Sequence, residues 1–128
     1  MAFAFISQKK MKSIIKIKES YIFRRAYRKG KALVCPFAVV YVLKNPRPNV
    51  RLGITTGKKL GNAVCRNRAR RVITAAFRSV LPQIKTGNDF VIVARSRILT
   101  AKSTKVALSF ERLLKEAGVL NQNEQDID

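Results

Sequence analysis

The chain has 128 residues, 47% of them hydrophobic, and carries 27 Lys and Arg against 7 Asp and Glu, for a formal charge of +20. That length supports one hydrophobic core and not two, and that apolar share excludes a disordered basic tail. His is absent, which removes the commonest general base and the commonest metal ligand, and Cys35 and Cys65 are too few for a zinc site. Five of the seven acids lie beyond residue 110, with only Arg112 and Lys115 of the basic groups, so residues 1–110 set 25 cations against Glu19 and Asp89. Self-repulsion at that density calls for a polyanion; nucleic acid leads, and an anionic membrane surface is the alternative. No apolar run approaches the ~20 residues that span a bilayer. The apolar start ahead of Lys9 and Lys10 reverses the order of a secretory signal, so a cytoplasmic protein with reduced thiols is expected.

Residues 1–17 are basic without a sustained period and read as a loose arm. From Lys18 to Lys29, Ile22, Phe23, Ala26 and Tyr27 recur at helical spacing, and Gly30 is positioned to supply a left-handed stop. Phe37 to Leu43 is β-branched and aromatic, as a strand should be. Lys44 to Asn49 holds two prolines and forms a turn, and Val50 to Thr56 alternates, with Val50, Leu52 and Ile54 facing one way and Arg51, Gly53 and Thr55 the other. These two strands are expected to pair as an antiparallel hairpin. A long helix follows, with Asn62 as N-cap and Pro82 forbidding extension past Leu81. Thr86-Gly87-Asn88 is a turn, Asp89 to Ala94 a buried strand, and Val106, Phe110, Leu113, Leu114 and Ala117 mark a last amphipathic helix ahead of Gly118. Residues 119–128 read as a polar tail. The expectation is an α+β domain over residues 18–118, one sheet with helices packed on it.

The segment Lys58 to Arg78 holds seven basic residues and no acid. At ~100° per residue, Cys65, Ala69, Val72, Ile73, Ala76, Phe77 and Val80 share an apolar arc, while Asn67, Arg68, Arg71, Thr74 and Arg78 lie opposite. Arg70 borders the arc and Arg66 leaves from the first turn. A face kept basic only for solubility usually mixes signs three or four residues apart, and here nothing compensates the arginines. Cations also crowd a helix N-terminus that favours anions, an arrangement that phosphates would relieve. Arginine outnumbers lysine, which suits bidentate phosphate contacts and stacking on exposed bases.

Lys58-Lys59-Leu60-Gly61-Asn62-Ala63-Val64, followed by Arg66-Asn67-Arg68 and Arg70-Arg71, resembles the signature of the bacterial ribonuclease P protein family. The likeness extends over roughly residues 18–118, through Phe23 and Tyr27 ahead of Gly30, the strand around Tyr41 and Gly53-Ile54-Thr55. It implies a single-domain α/β sandwich like the second domain of ribosomal protein S5, in the order α-β-β-(β)-α-β-α, with a left-handed βαβ crossover through the arginine helix. That handedness runs against the usual rule for parallel crossovers. It implies a protein subunit that binds the catalytic ribonuclease P RNA and the 5′ leader of precursor tRNA, with no membrane or small-molecule partner. Lys58, Lys59, Asn62, Arg66, Asn67, Arg68, Arg70 and Arg71 would contact the catalytic RNA, and Phe23, Tyr27, Tyr41 and Thr55 would line a cleft for the single-stranded leader. Hydrolysis would belong to magnesium ions held by the RNA, leaving the protein without catalytic or metal-binding residues. Thr74 stands where the family often carries another arginine, Gly57 replaces a common serine, and Tyr21 and Phe37 read as packing. A structural protein of the ribosome would share the charge but has no use for an aromatic cleft.

Overall fold

A computed structural model describes residues 13–121. In chain order it runs β1 (Ile14–Lys16), α1 (Ser20–Lys29), β2 (Lys31–Val34), β3 (Ala38–Lys44), β4 (Val50–Thr55), α2 (Ala63–Val80), β5 (Asn88–Ala94) and α3 (Ser103–Glu116). Single 3-10 turns at Lys58–Leu60, Leu81–Gln83 and Ser96–Thr100 lead into α2, out of it, and out of β5. The strands make one mixed sheet in the order β1-β4-β5-β3-β2, with β4 parallel to both β1 and β5, and β3 antiparallel to β5 and β2.

The apolar run of β5 sets the layers. Phe90 and Ile92 point into the main core with Ile73, Phe77, Phe110 and Leu114, so α2 and α3 lie on that face. Val91 points the other way and packs with Ile17, Ile22 and Ala26 under α1. The Phe77 and Phe90 rings meet edge to face with centroids 5.3 Å apart, which fastens α2 to the middle of the sheet. Asn62 caps α2 as its side chain suggests, its Oδ1 accepting from the Cys65 amide at 3.1 Å.

Several expectations are corrected. The strands around residues 37–43 and 50–56 do not pair; β5 lies between them and bonds to both. The loop Lys44–Asn49 is the reason. Instead of turning on itself it straddles the entrance to β5, where the Asn45 amide donates to the Gly87 carbonyl and the Gly87 amide to that of Asn49. Its two prolines offer no amide for a tight hairpin turn. The true hairpin is β2 with β3, and β2 escapes detection because four residues straight after a helix show no period. Ile14–Lys16, inside the expected arm, forms an edge strand on β4; residues 1–12 lie outside the described region. Gly30 is extended at φ −74°, not left-handed; it is needed because a Cβ would stand 2.6 Å from the Ala26 carbonyl oxygen. Val119 and Leu120, at the start of the expected polar tail, are buried and pinned by bonds from the Lys85 amide to the Val119 carbonyl and from the Asn121 amide to that of Gln83.

Asp89 is the buried acid of the sheet, 2% exposed, and Arg51 grips it through Nε at 2.7 Å and Nη2 at 2.6 Å while Asn45 Nδ2 adds a third bond at 2.6 Å. The hydrogen bonding to Asp89 outweighs burial and raises the Arg51 pKa above its ordinary value, so the guanidinium stays charged. Removing one member of such a pair strands the other's charge in a dry place. Asp89→Ala is expected to cost about 3 kcal/mol in urea denaturation, and the double change Arg51→Met with Asp89→Leu to recover most of it. A loss under ~0.5 kcal/mol for Asp89→Ala, the scale of an ordinary surface change, would show that the pair does not fasten β4 to β5.

Candidate nucleic-acid interface

The α1 face of the sheet is built in rows. Tyr41, Val91 and Gly53 are register partners across β3, β5 and β4, and Val39, Val93 and Thr55 form the next row. Helix α1 lays Phe23 over the first row. Gly53 makes room for it, since a Cβ there would meet the Phe23 ring at 2.7 Å. Tyr27, one turn on, sets its ring against that of Tyr41 with centroids 5.1 Å apart and planes at 72°, and its hydroxyl shares a 2.8 Å hydrogen bond with Thr55 Oγ1. The four residues expected to line the cleft thus come together, and Tyr27 remains 41% exposed. Phe23 and Tyr41 are half-buried, with one part of each ring in the packing beneath α1.

The apolar surface beside these rings reaches further than sequence reasoning placed it. Half-buried Val39 and Val93 continue it, and Val34, paired with Val39, ends it at 59% exposure. Val39 was within reach of sequence, being two residues from Tyr41 on one strand and therefore on the same face. Val93 required knowing that β5 lies beside β3. Phe37 is buried as expected, whereas Tyr21 is 57% exposed and is no packing residue: α1 buries Ile22 and Ala26, and Tyr21 points off that stripe.

The cationic surface lies on α2 and its approach. Leu60 is buried and anchors the turn that carries exposed Lys58 and Lys59, and Gly61 at φ 118° swings the chain into the helix. Ala69, Ile73, Ala76, Phe77 and Val80 are buried, so Asn67, Arg68, Arg70 and Arg71 are presented outward. Arg66 Nε donates to the Gly61 carbonyl at 3.2 Å and Arg68 Nε to that of Leu99 at 2.8 Å, while Arg70 reaches the Ile54 carbonyl only at 3.5 Å. Each such bond uses one of five guanidinium N–H donors and leaves the charge uncompensated. None of these arginines joins an ion pair among the described residues. The side chain of Asn62 is committed to capping. The Arg68 bond also draws the turn Ser96–Thr100 beside α2, which adds exposed Arg97, a residue with no signal in the sequence pattern.

The described residues offer no donor set for a magnesium centre. Among the described residues no three His, Cys, Asp or Glu side chains gather, and Asp89 is already bound by Arg51 and Asn45. No described helix is long and apolar enough to cross a membrane.

Fold and surface together define a small α+β domain with a cationic helix behind its sheet and an aromatic cluster in front. The family model described as ribonuclease P matches residues 11–118. A ribonuclease P protein component from Thermoanaerobacter sp. (strain X514) is 36% identical over 114 residues, covering 89% of this chain and 98% of the relative. One from Listeria monocytogenes is 37% identical over 113 residues, covering 88% and 95%. The solved ribonuclease P protein of Staphylococcus aureus superposes with a TM-score of 0.72 at 36% identity, over 83% of this chain and 97% of that one, and that of Thermotoga maritima with 0.71 at 28%, over 79% and 96%. The chain belongs to the bacterial ribonuclease P protein family, and is therefore a protein subunit of the ribonucleoprotein endonuclease that matures tRNA 5′ ends.

The close seating of Phe23 on Gly53 generates a test of the cleft's construction. Gly53→Ala is expected to cost ~1–3 kcal/mol by overpacking, and to cost much less in a Phe23→Ala background, read as a double-mutant cycle of unfolding free energies. Equal costs in both backgrounds would mean that Phe23 does not sit where the cleft requires.

Proposed function

We propose that this subunit uses its two faces for two RNAs: α2 and its approach hold the catalytic ribonuclease P RNA, and the cleft under α1 holds the 5′ leader of precursor tRNA. The observation that carries this reading is the joining of Phe23, Tyr27, Tyr41 and Thr55 on the sheet face opposite α2. Lys58, Lys59, Arg66, Asn67, Arg68, Arg70 and Arg71 neutralise phosphates of the catalytic RNA, with Asn62 shaping the helix start that receives them. Unpaired leader bases stack on the exposed edge of Tyr27 and on Phe23 and Tyr41, which accept any base because every base has a π-face. The Tyr27 and Thr55 hydroxyls, already paired with each other, offer a polar rim to the leader backbone.

Mechanistically the protein positions and neutralises. Its cations let the RNA fold and hold substrate at lower magnesium, and the magnesium ions that the RNA holds supply the hydrolytic chemistry. The cleft favours precursor over mature tRNA because only the precursor has a leader to stack. Residues 18–118 form the working domain, acting in the cytoplasm, and the β4-α2-β5 crossover is left-handed as the family resemblance implies; an experimental structure tests that sense.

The test is cleavage of a precursor tRNA by a bacterial ribonuclease P RNA at low magnesium, with and without the chain. Activity that depends on the protein is expected; tight RNA binding with no gain in cleavage would overturn the reading. Arg66→Ala, Arg68→Ala or Arg71→Ala should each weaken assembly with the catalytic RNA and reduce the salt slope of binding by about one. Phe23→Ala or Tyr27→Ala should instead weaken precursor binding about tenfold and spare assembly. The same defect in both sets would refute two separate surfaces.

A further inference from the structure

Behind the sheet, between the edge strand β1, strand β4 and helix α2, lies a cavity of about 180 Å³. Its floor is aliphatic, from Ile14, Ile17, Leu52 and Ile54; its mouth carries Lys16, Arg70 and Arg78, with Thr74 between the two arginines on the helix. No acid lines it. The charged groups are uncommitted: the Arg70 guanidinium has only the long 3.5 Å contact to the Ile54 carbonyl, and neither the Lys16 ammonium nor the Arg78 guanidinium has a hydrogen bond or ion pair among the described residues. Because side chains alternate along β4, Leu52 and Ile54 face this cavity while Gly53 and Thr55 face the leader cleft, so the two sites use opposite faces of β4 and share Ile17, just beyond the end of β1. A shallow groove lined by Arg70, Arg71, Thr74, Ala75 and Arg78 leads from the mouth onto the exposed side of α2.

We propose that this cavity takes one unpaired nucleotide of the RNA partner, its base on the aliphatic floor and its phosphate between Lys16, Arg70 and Arg78. The inference rests on the reading of α2 as the surface for the catalytic RNA. A free phosphate would use the cations and leave the exposed parts of half-buried Ile14 and Ile54 facing water. A nucleotide uses both halves, and extruded bases are what single-stranded RNA offers to apolar pockets. The groove supplies the path by which a strand lying on Arg71 enters the cavity. Thr74 makes this possible by being small: a longer side chain at this position would stand in the mouth.

The experiment uses the full chain bound to a bacterial ribonuclease P RNA. Base accessibility is probed chemically at nucleotide resolution for the wild type and for two variants that crowd the cavity from opposite walls, Thr74→Leu from the helix and Ile54→Phe from the strand. Thermal melts confirm that both fold. The expected result is one unpaired base protected by the wild type and exposed again by both variants, with affinity for the RNA reduced about tenfold. Wild-type RNA binding with a protection pattern that neither variant alters overturns the cavity proposal alone. A wild-type chain that does not bind the RNA overturns this inference and the proposed function together.

Discussion

Strand β5 is covered by α1 on one face and by α2 and α3 on the other, and this double burial organises everything else in the molecule. A strand apolar on both faces cannot lie at an edge or face water, so its neighbours must flank it and helices must close it in from both sides. β3 and β4 take its two edges, which opens the apparent hairpin between them and forces the loop Lys44–Asn49 to straddle the turn at Gly87. The crossover from β4 to β5 then has to carry α2 over one face, while α1 is left to partner Val91 on the other. Two differently built faces, one aromatic under α1 and one cationic on α2, follow from the burial of one strand.

Electrostatics divides along the same line. The acid buried in the sheet, Asp89, is used internally by Arg51 and Asn45, so it does nothing to offset the outer charge. Arg66, Arg68 and Arg70 of α2 bond to backbone carbonyls, which orient guanidinium groups without neutralising them. A helix that begins with uncompensated cations works against its own dipole, and its stability comes from the apolar stripe that runs from Ala69 to Val80. Folding thus holds the positive charge in place, and the relief of that repulsion is left to whichever polyanion binds.

Periodicity made the three helices, the apolar face of α2, the Asn62 cap and the strand character of β3, β4 and β5 legible in the sequence. Each of these is decided within a few residues of itself. Pairing was not legible, because whether β3 bonds β4 or β5 depends on which strand needs two neighbours, a property of the whole sheet. The short strands β1 and β2 were hidden for a related reason: three or four residues carry no period, and only a partner edge makes them strands. In the site, Phe23 and Tyr27 declared themselves by one-turn spacing and the family signature. Val93 and Arg97 did not, since they reach the cleft and the helix through register and through the Arg68 bond to Leu99. Tyr21 misled because an aromatic in an amphipathic stretch is usually packed, and here it falls off the buried stripe.

The two surfaces are nevertheless mechanically one. β4 alternates Leu52 and Ile54 toward α2 with Gly53 and Thr55 toward α1, so a single strand supplies the bed of Phe23, the hydroxyl that meets Tyr27 and the wall behind Arg70. Only Thr56 and Gly57 separate Thr55 in the cleft from Lys58 at the head of the basic run. The ion pair from Arg51 to Asp89 ties the same strand to β5, so β4 has little freedom to slide. In the proposed function, a leader seated on Tyr27 and a catalytic RNA seated on α2 are therefore held in a fixed mutual geometry by one short, doubly fastened strand. Such rigidity suffices for a subunit whose contribution is orientation: the protein need not touch the scissile bond if it fixes where the two RNAs lie relative to each other.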